Sequence, residues 1–123
     1  MCGIAGIYQQ SGGAVSAELL KQMTDSIAHR GPDGEGQYIR GNVGLGHRRL
    51  AIIDLSDAGR QPMTDASGKL TIIYNGEIYN FRELRQELEK YGHRFRSRSD
   101  TEVLLYAYKQ WGKNCVEIGR AHV

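Results

Sequence analysis

No stretch of this 123-residue chain approaches the roughly 20 apolar residues that a membrane span needs. Met1 to Tyr8 also lacks the charged start and long apolar centre of a secretory signal. Cysteine is scarce: Cys2 and Cys115 are the two present, with neither a C-x-x-C pair nor Cys/His ligand spacing, which argues against structural zinc, a disulfide framework or any metal site. An excess of one charge is missing too. Sixteen basic against fourteen acidic side chains leave a net charge of +2, too little to imply a polyanionic partner. No GxxxxGK[ST] loop occurs, so no ATP site is recognisable and no cofactor is expected on these residues. Together these absences predict a cytoplasmic domain with no membrane partner, in a reducing compartment that suits a free thiol.

What is present is an ordinary globular composition, 40% apolar and 24% charged. Sixteen glycines exceed the usual frequency of about 7% and fall in turns, which implies many tight strand connections. The opening Met1-Cys2-Gly3-Ile4 is more specific: removal of Met1 would leave a cysteine carrying a thiol and a free α-amine together. Such an amine, with an unperturbed pKa of about 7.7 to 8.0, can take the thiol proton directly or through a water, so one residue supplies nucleophile and base. A strand cysteine packed as a small hydrophobe fits the same four residues.

Along the chain, Gly3 to Tyr8 reads as a buried strand followed by a polar turn. Ser16 is placed as an N-cap for a helix with Leu19, Leu20, Met23 and Ile27 on one face, ending before Gly31-Pro32. Gln37 to Arg40, Val43 to His47, Leu50 to Asp54 and Leu70 to Tyr74 are strand candidates. A loop is expected over Asp57 to Pro62 and a turn over Asp65 to Gly68. Asn80 with Glu83 predicts a capping box for a helix carrying Phe81, Leu84, Leu88 and Tyr91, with Gly92 as its C-terminal cap. Ser99 with Glu102 predicts a second capping box for a helix to Gln110 or Trp111, and His93 to Ser97 is another strand candidate. Clustered strands with three helices between them predict an α+β fold.

Five ordered segments carry the chemical signal: Cys2-Gly3-Ile4, His29 to Gly34 (HRGPDG), His47 to Asp54 (HRRLAIID), Asn75 to Asn80 (NGEIYN) and Ser99 to Val103 (SDTEV). Asn75-Gly76 alone would be read as a hairpin turn, and Asp100 alone as a residue favoured at a helix N-terminus. In this order and company the segments resemble the glutaminase domain of class II glutamine amidotransferases, in particular that of glutamine-hydrolysing asparagine synthetases, over Met1 to about Val116.

The resemblance implies L-glutamine as substrate and Cys2 as nucleophile, with Asn75 and Gly76 as the oxyanion donors. A single such donor is typically worth about 3 to 4 kcal/mol. It implies that Arg49 grips the substrate α-carboxylate through its planar fork, that Glu77 and Asp100 hold the α-ammonium, and that backbone groups at Ile52 and Ile53 touch the substrate. Arg30, Asp33 and His29 are read as a structured loop that positions rather than reacts, His47 and His93 as structural, and Arg48, where some members carry glutamate, as a solvated neighbour. The run His93 to Arg98 admits a nucleic-acid patch, but its alternation favours a strand with one solvated cationic face, so no nucleic-acid partner is expected.

The implied fold is a four-layer αββα sandwich of two antiparallel sheets, of the N-terminal nucleophile hydrolase type, with its C-terminal strands missing here. Residues 1–117 are accordingly read as the N-terminal part of the amidotransferase domain. Residues 118–123, Ile-Gly-Arg-Ala-His-Val, depart from the family pattern and can be encoded by a common sequencing-adapter text, so they are read as a read-through tail. The synthetase domain, which would bring ATP and magnesium and amidate aspartate or a polysaccharide sugar acid, is expected outside this chain. Oligomeric state is left open, with a homodimer of the complete enzyme as one form. The alternatives are an inactive fragment and a basic nucleic-acid-binding module.

Overall fold

The computed structural model describes residues 2–51 and 56–117. Ile52, Ile53, most of the expected Leu50–Asp54 strand and the 118–123 tail lie outside them. The described residues form an α+β arrangement with a three-stranded antiparallel sheet and a separate two-stranded one. They divide into two compact units.

The first unit holds β1 (Gly3–Tyr8), α1 (Ala17–Ser26), β2 (Gly34–Arg40) and β3 (Val43–Arg49), with sheet order β1-β3-β2. Ser16 caps α1, its hydroxyl accepting the Leu19 N–H at 3.2 Å, as the sequence predicts. The α-helix stops at Ser26, and a single 3-10 turn, Ala28–Arg30, brings the chain to Gly31. Period-two alternation along β3 decides what each sheet face carries. Gly44 and Gly46 lie under Val15, Leu20 and Thr24, where a Cβ would collide, so α1 seats directly on the backbone. Leu20 is fully buried there, a contribution of about 1.5–3 kcal/mol. The opposite face carries Leu45, His47 and Arg49, with Ile4 paired to His47 and Tyr8 to Val43 on the neighbouring strand. Ile4 and Tyr8 are 48% and 67% exposed on that face, so Gly3–Tyr8 is a strand as expected but not a buried one: its side chains alternate and α1 covers one side.

The second unit holds the β4 (Met63–Thr64) strand and most of its hairpin to β5 (Thr71–Ile72), then α2 (Phe81–Lys90) and α3 (Asp100–Trp111). Its core is Leu84 and Leu88 from α2 against Val103, Tyr106 and Ala107 from α3, with Cys115 beyond. The predicted turn at Asp65–Gly68 is formed, Gly68 N–H donating to Asp65 O at 3.0 Å. The Asp65 carboxylate ties that turn to α3. It accepts from Lys69 N–H, Leu70 N–H, the Ser67 hydroxyl and Lys109 Nζ. Helix α2 closes as a Schellman cap: Gly92 N–H donates to Glu89 O and His93 N–H to Leu88 O, with Gly92 at φ +94°.

Four expectations fail in whole or in part. The expected strand over Leu70–Tyr74 shortens to Thr71–Ile72, because the Tyr74 backbone bonds to side chains instead of a ladder. His93–Ser97 is not a strand: the Arg96 and Ser97 N–H groups are taken by the buried Glu102 carboxylate. For the same reason the Ser99–Glu102 capping box is half formed. The Ser99 hydroxyl accepts the Thr101 N–H, while Glu102 turns away to the 96–97 loop. The Asn80–Glu83 box is also absent, since Asn80 makes no side-chain cap bond.

Candidate functional site

In the first unit, the β1–β3 register carried one residue past Gly3 sets Cys2 across from Arg49. The half-buried Cys2 Sγ accepts the Leu50 N–H at 3.3 Å and points its own hydrogen to Leu50 O at 3.6 Å. The Cys2 carbonyl accepts Arg30 Nε–H at 3.1 Å. Asp33 secures the other strand, its N–H donating to Arg49 O and its carboxylate accepting the Ala51 N–H, both at 2.9 Å. Arg30 and Asp33 therefore fix the two strand ends that carry Cys2 and Arg49. Alternation puts Arg49 on the sheet face opposite α1, with His47.

Arg48, expected to be solvated, points the other way and is enclosed. Its Nε donates to Thr24 O at 3.1 Å and its Nη2 pairs with Asp25 and Glu35 at 2.8 and 3.2 Å. Odd and even positions of β3 explain the difference between the two arginines.

His47 is fully buried. Burial pushes its imidazole below the ordinary histidine range, and the neighbouring Arg49 charge adds to this, against a hydrogen bond from Nε2 to Tyr74 O at 3.3 Å. The Tyr74 N–H donates to Gln61 Oε1 at 2.6 Å. Half-buried Asn75 and exposed Gly76 follow immediately, outside any strand, with Gly76 at a bend rather than in a two-residue hairpin. Neither Gln61 nor Tyr74 carries a sequence signal that would have marked it.

The second unit contains Glu77 and Asp100. Glu77 is exposed. Asp100, 6% exposed, is the first residue of α3, and its Oδ2 accepts the Ile78 N–H at 2.9 Å. Burial pushes the Asp100 carboxyl up, with the Glu77 charge adding to it and backbone N–H groups opposing. His93 is occupied structurally, its ring tilted over Tyr106 at 5.3 Å and its Nε2 2.9 Å from Gln110 Oε1. Arg96 reaches Thr64 O and Arg85 lies over Phe95.

The two thiols differ in kind. Cys115 is buried in the α2–α3 core and burial pushes its thiol up, away from the reactive thiolate. Cys2 is half-buried at a strand end, beside a cation-bearing sheet face and next to polar backbone. No helix of the described residues is long and apolar enough to cross a membrane.

The family model of a glutamine amidotransferase domain matches residues 1–120. The chain is 47% identical over 114 residues to glutamine-hydrolysing asparagine synthetase 1 of Bacillus subtilis (strain 168), covering 90% of this chain and 18% of the relative. It is 44% identical over 120 residues to asparagine synthetase 3 of the same organism, covering 95% and 19%. A probable asparagine synthetase of Schizosaccharomyces pombe is 38% identical over 122 residues, covering 96% and 21%. The chain thus spans about a fifth of the length of these curated relatives.

Proposed function

The chain belongs to the glutamine amidotransferase domain family, and we propose that it hydrolyses the side-chain amide of L-glutamine with Cys2 as nucleophile. The observation that carries this reading is the half-buried Cys2 thiol held against the Leu50 backbone, next to Arg49, across two strand ends that Arg30 and Asp33 hold in place.

In the proposed mechanism Met1 is removed and the Cys2 α-amine takes the thiol proton. The thiolate attacks the amide carbon, and the oxyanion of the tetrahedral intermediate accepts from the Asn75 side-chain amide and the Gly76 N–H. Collapse breaks the C–N bond, the amine proton goes to the leaving nitrogen, and ammonia departs from a thioester. Water, deprotonated by the same amine, then releases glutamate and restores the thiol. Arg49 takes the α-carboxylate through two parallel hydrogen bonds. Glu77 and Asp100 are the α-ammonium partners, and backbone groups at Ile52 and Ile53 complete the substrate contacts.

The fold proposed for the complete domain is the αββα sandwich, of which residues 1–117 supply the N-terminal part. The exposed Ile4 and Tyr8, on the sheet face away from α1, support this as the face a second sheet covers. The whole protein is proposed to be a cytoplasmic ligase that passes the ammonia to aspartate activated with ATP and magnesium in a separate domain. Asparagine synthetases at 38–47% identity support that acceptor.

The test is glutamate and ammonia release from L-glutamine by the full-length protein and by Cys2→Ala. Cys2→Ala should release none, while amidation driven by added ammonia persists. Glutamine hydrolysis by Cys2→Ala at the wild-type rate contradicts the assignment.

A further inference from the structure

We propose that His47 and Gln61 are positioning residues that clamp the Tyr74 peptide groups from both sides and thereby fix where Asn75 and Gly76 point. The inference rests on the reading that Asn75 and Gly76 hold the oxyanion. Tyr74 is bonded to one side chain through its N–H, by Gln61 Oε1 at 2.6 Å, and to another through its C=O, by His47 Nε2 at 3.3 Å. A strand-prone residue has left the ladder for two side-chain partners, immediately before the two proposed donors.

Both clamp residues are seated on the same patch of sheet. His47 pairs with Gly36 across β3 and β2, and the Gln61 backbone runs so close over Gly36 that a Cβ there would collide with the Gln61 carbonyl. Neither clamp residue is more than 9% exposed. Because a carbonyl can only accept, His47 must carry its proton on Nε2. Its Nδ1 is buried with no hydrogen-bond partner among the described residues. A second ring proton would bury a charge without an acceptor, next to Arg49, so the ring works as a neutral donor and not as a proton carrier. One side chain rooted in the sheet and another from a loop packed against it hold a following backbone N–H more closely than a free loop does, and oxyanion stabilisation depends on that placement.

Three variants of the full-length protein test the clamp. His47→Leu removes the donor, Gln61→Met removes the acceptor, and His47→Gln restores a neutral N–H donor of similar reach. The first two should lower glutaminase kcat about 10- to 100-fold, the scale of a displacement of about 1 Å at a reacting centre. Glutamine KM should stay within about threefold, because ground-state binding is untouched. His47→Gln should recover most of the loss. The backbone amide resonances of Asn75 and Gly76 should shift in His47→Leu and Gln61→Met and return in His47→Gln.

Wild-type kcat in His47→Leu and Gln61→Met, a His47→Gln as impaired as His47→Leu, or unmoved Asn75 and Gly76 resonances would each overturn the clamp. If the wild-type protein does not hydrolyse glutamine, the glutaminase reading fails, and the two amide resonances alone decide the clamp. If His47→Leu does not fold, Gln61→Met and His47→Gln decide it.

Discussion

Consecutive residues of this chain have opposite fates, and strand alternation is the cause. Arg48 is drawn into a network with Thr24, Asp25 and Glu35 on the α1 side, while Arg49 belongs to the other face with His47. Charge alone does not distinguish them in a sequence, but their parity along β3 does. Asp100 shows the tension a buried carboxylate carries. It is buried beside a like charge, so its folded pKa lies above its unfolded value, and the folded state binds more protons between the two. Asp100 therefore costs stability above its folded pKa, and that cost is relieved as the pH falls through it towards the unfolded value. Asp100→Asn, which keeps an oxygen to accept the Ile78 N–H, should raise the melting temperature at pH 7 and abolish this pH dependence. If Asp100 also holds the α-ammonium, glutamine KM should rise roughly 10- to 100-fold, the equivalent of a lost charge-assisted hydrogen bond. Thermal unfolding from pH 4 to 8, with glutaminase kinetics, measures both.

Whole elements were legible where local chemistry and burial agree. Helix α1 starts on the predicted Ser16 cap, β1 spans the predicted Gly3–Tyr8, and α2 ends in the predicted glycine cap. The segment His93–Ser97 misled because its alternating pattern is genuine but its backbone hydrogen bonds go to a carboxylate six and five residues ahead. A sequence window cannot see that choice, since a Glu at the start of a helix equally suits a capping box. The Arg96 and Ser97 N–H groups of this loop thus depend on one side chain. Glu102→Ala would strand the Arg96 and Ser97 N–H groups and the Ser97 hydroxyl, at a cost of about 2 to 5 kcal/mol. Urea denaturation should show this as a lower midpoint with Glu102→Gln in between. A midpoint unchanged by Glu102→Ala would show that the loop is held by other contacts.

For the molecule as a whole, five ordered motifs made the family legible in the sequence, because a match at all five in order is far more specific than a match at any one. The supports of the site were not legible. Gln61 sits in a loop with no motif, and Tyr74 looks like an ordinary strand residue; only folding brings both to His47. The role of Cys2 joins these levels, since the proposed chemistry requires its thiol and its own α-amine at once. The most direct measurement is glutamine turnover by a full-length protein carrying one extra residue before Cys2, which keeps the thiol but converts the basic amine into an amide. The account predicts that turnover collapses while the protein stays folded and ammonia-driven amidation continues; glutamine hydrolysis at the unmodified rate would contradict it.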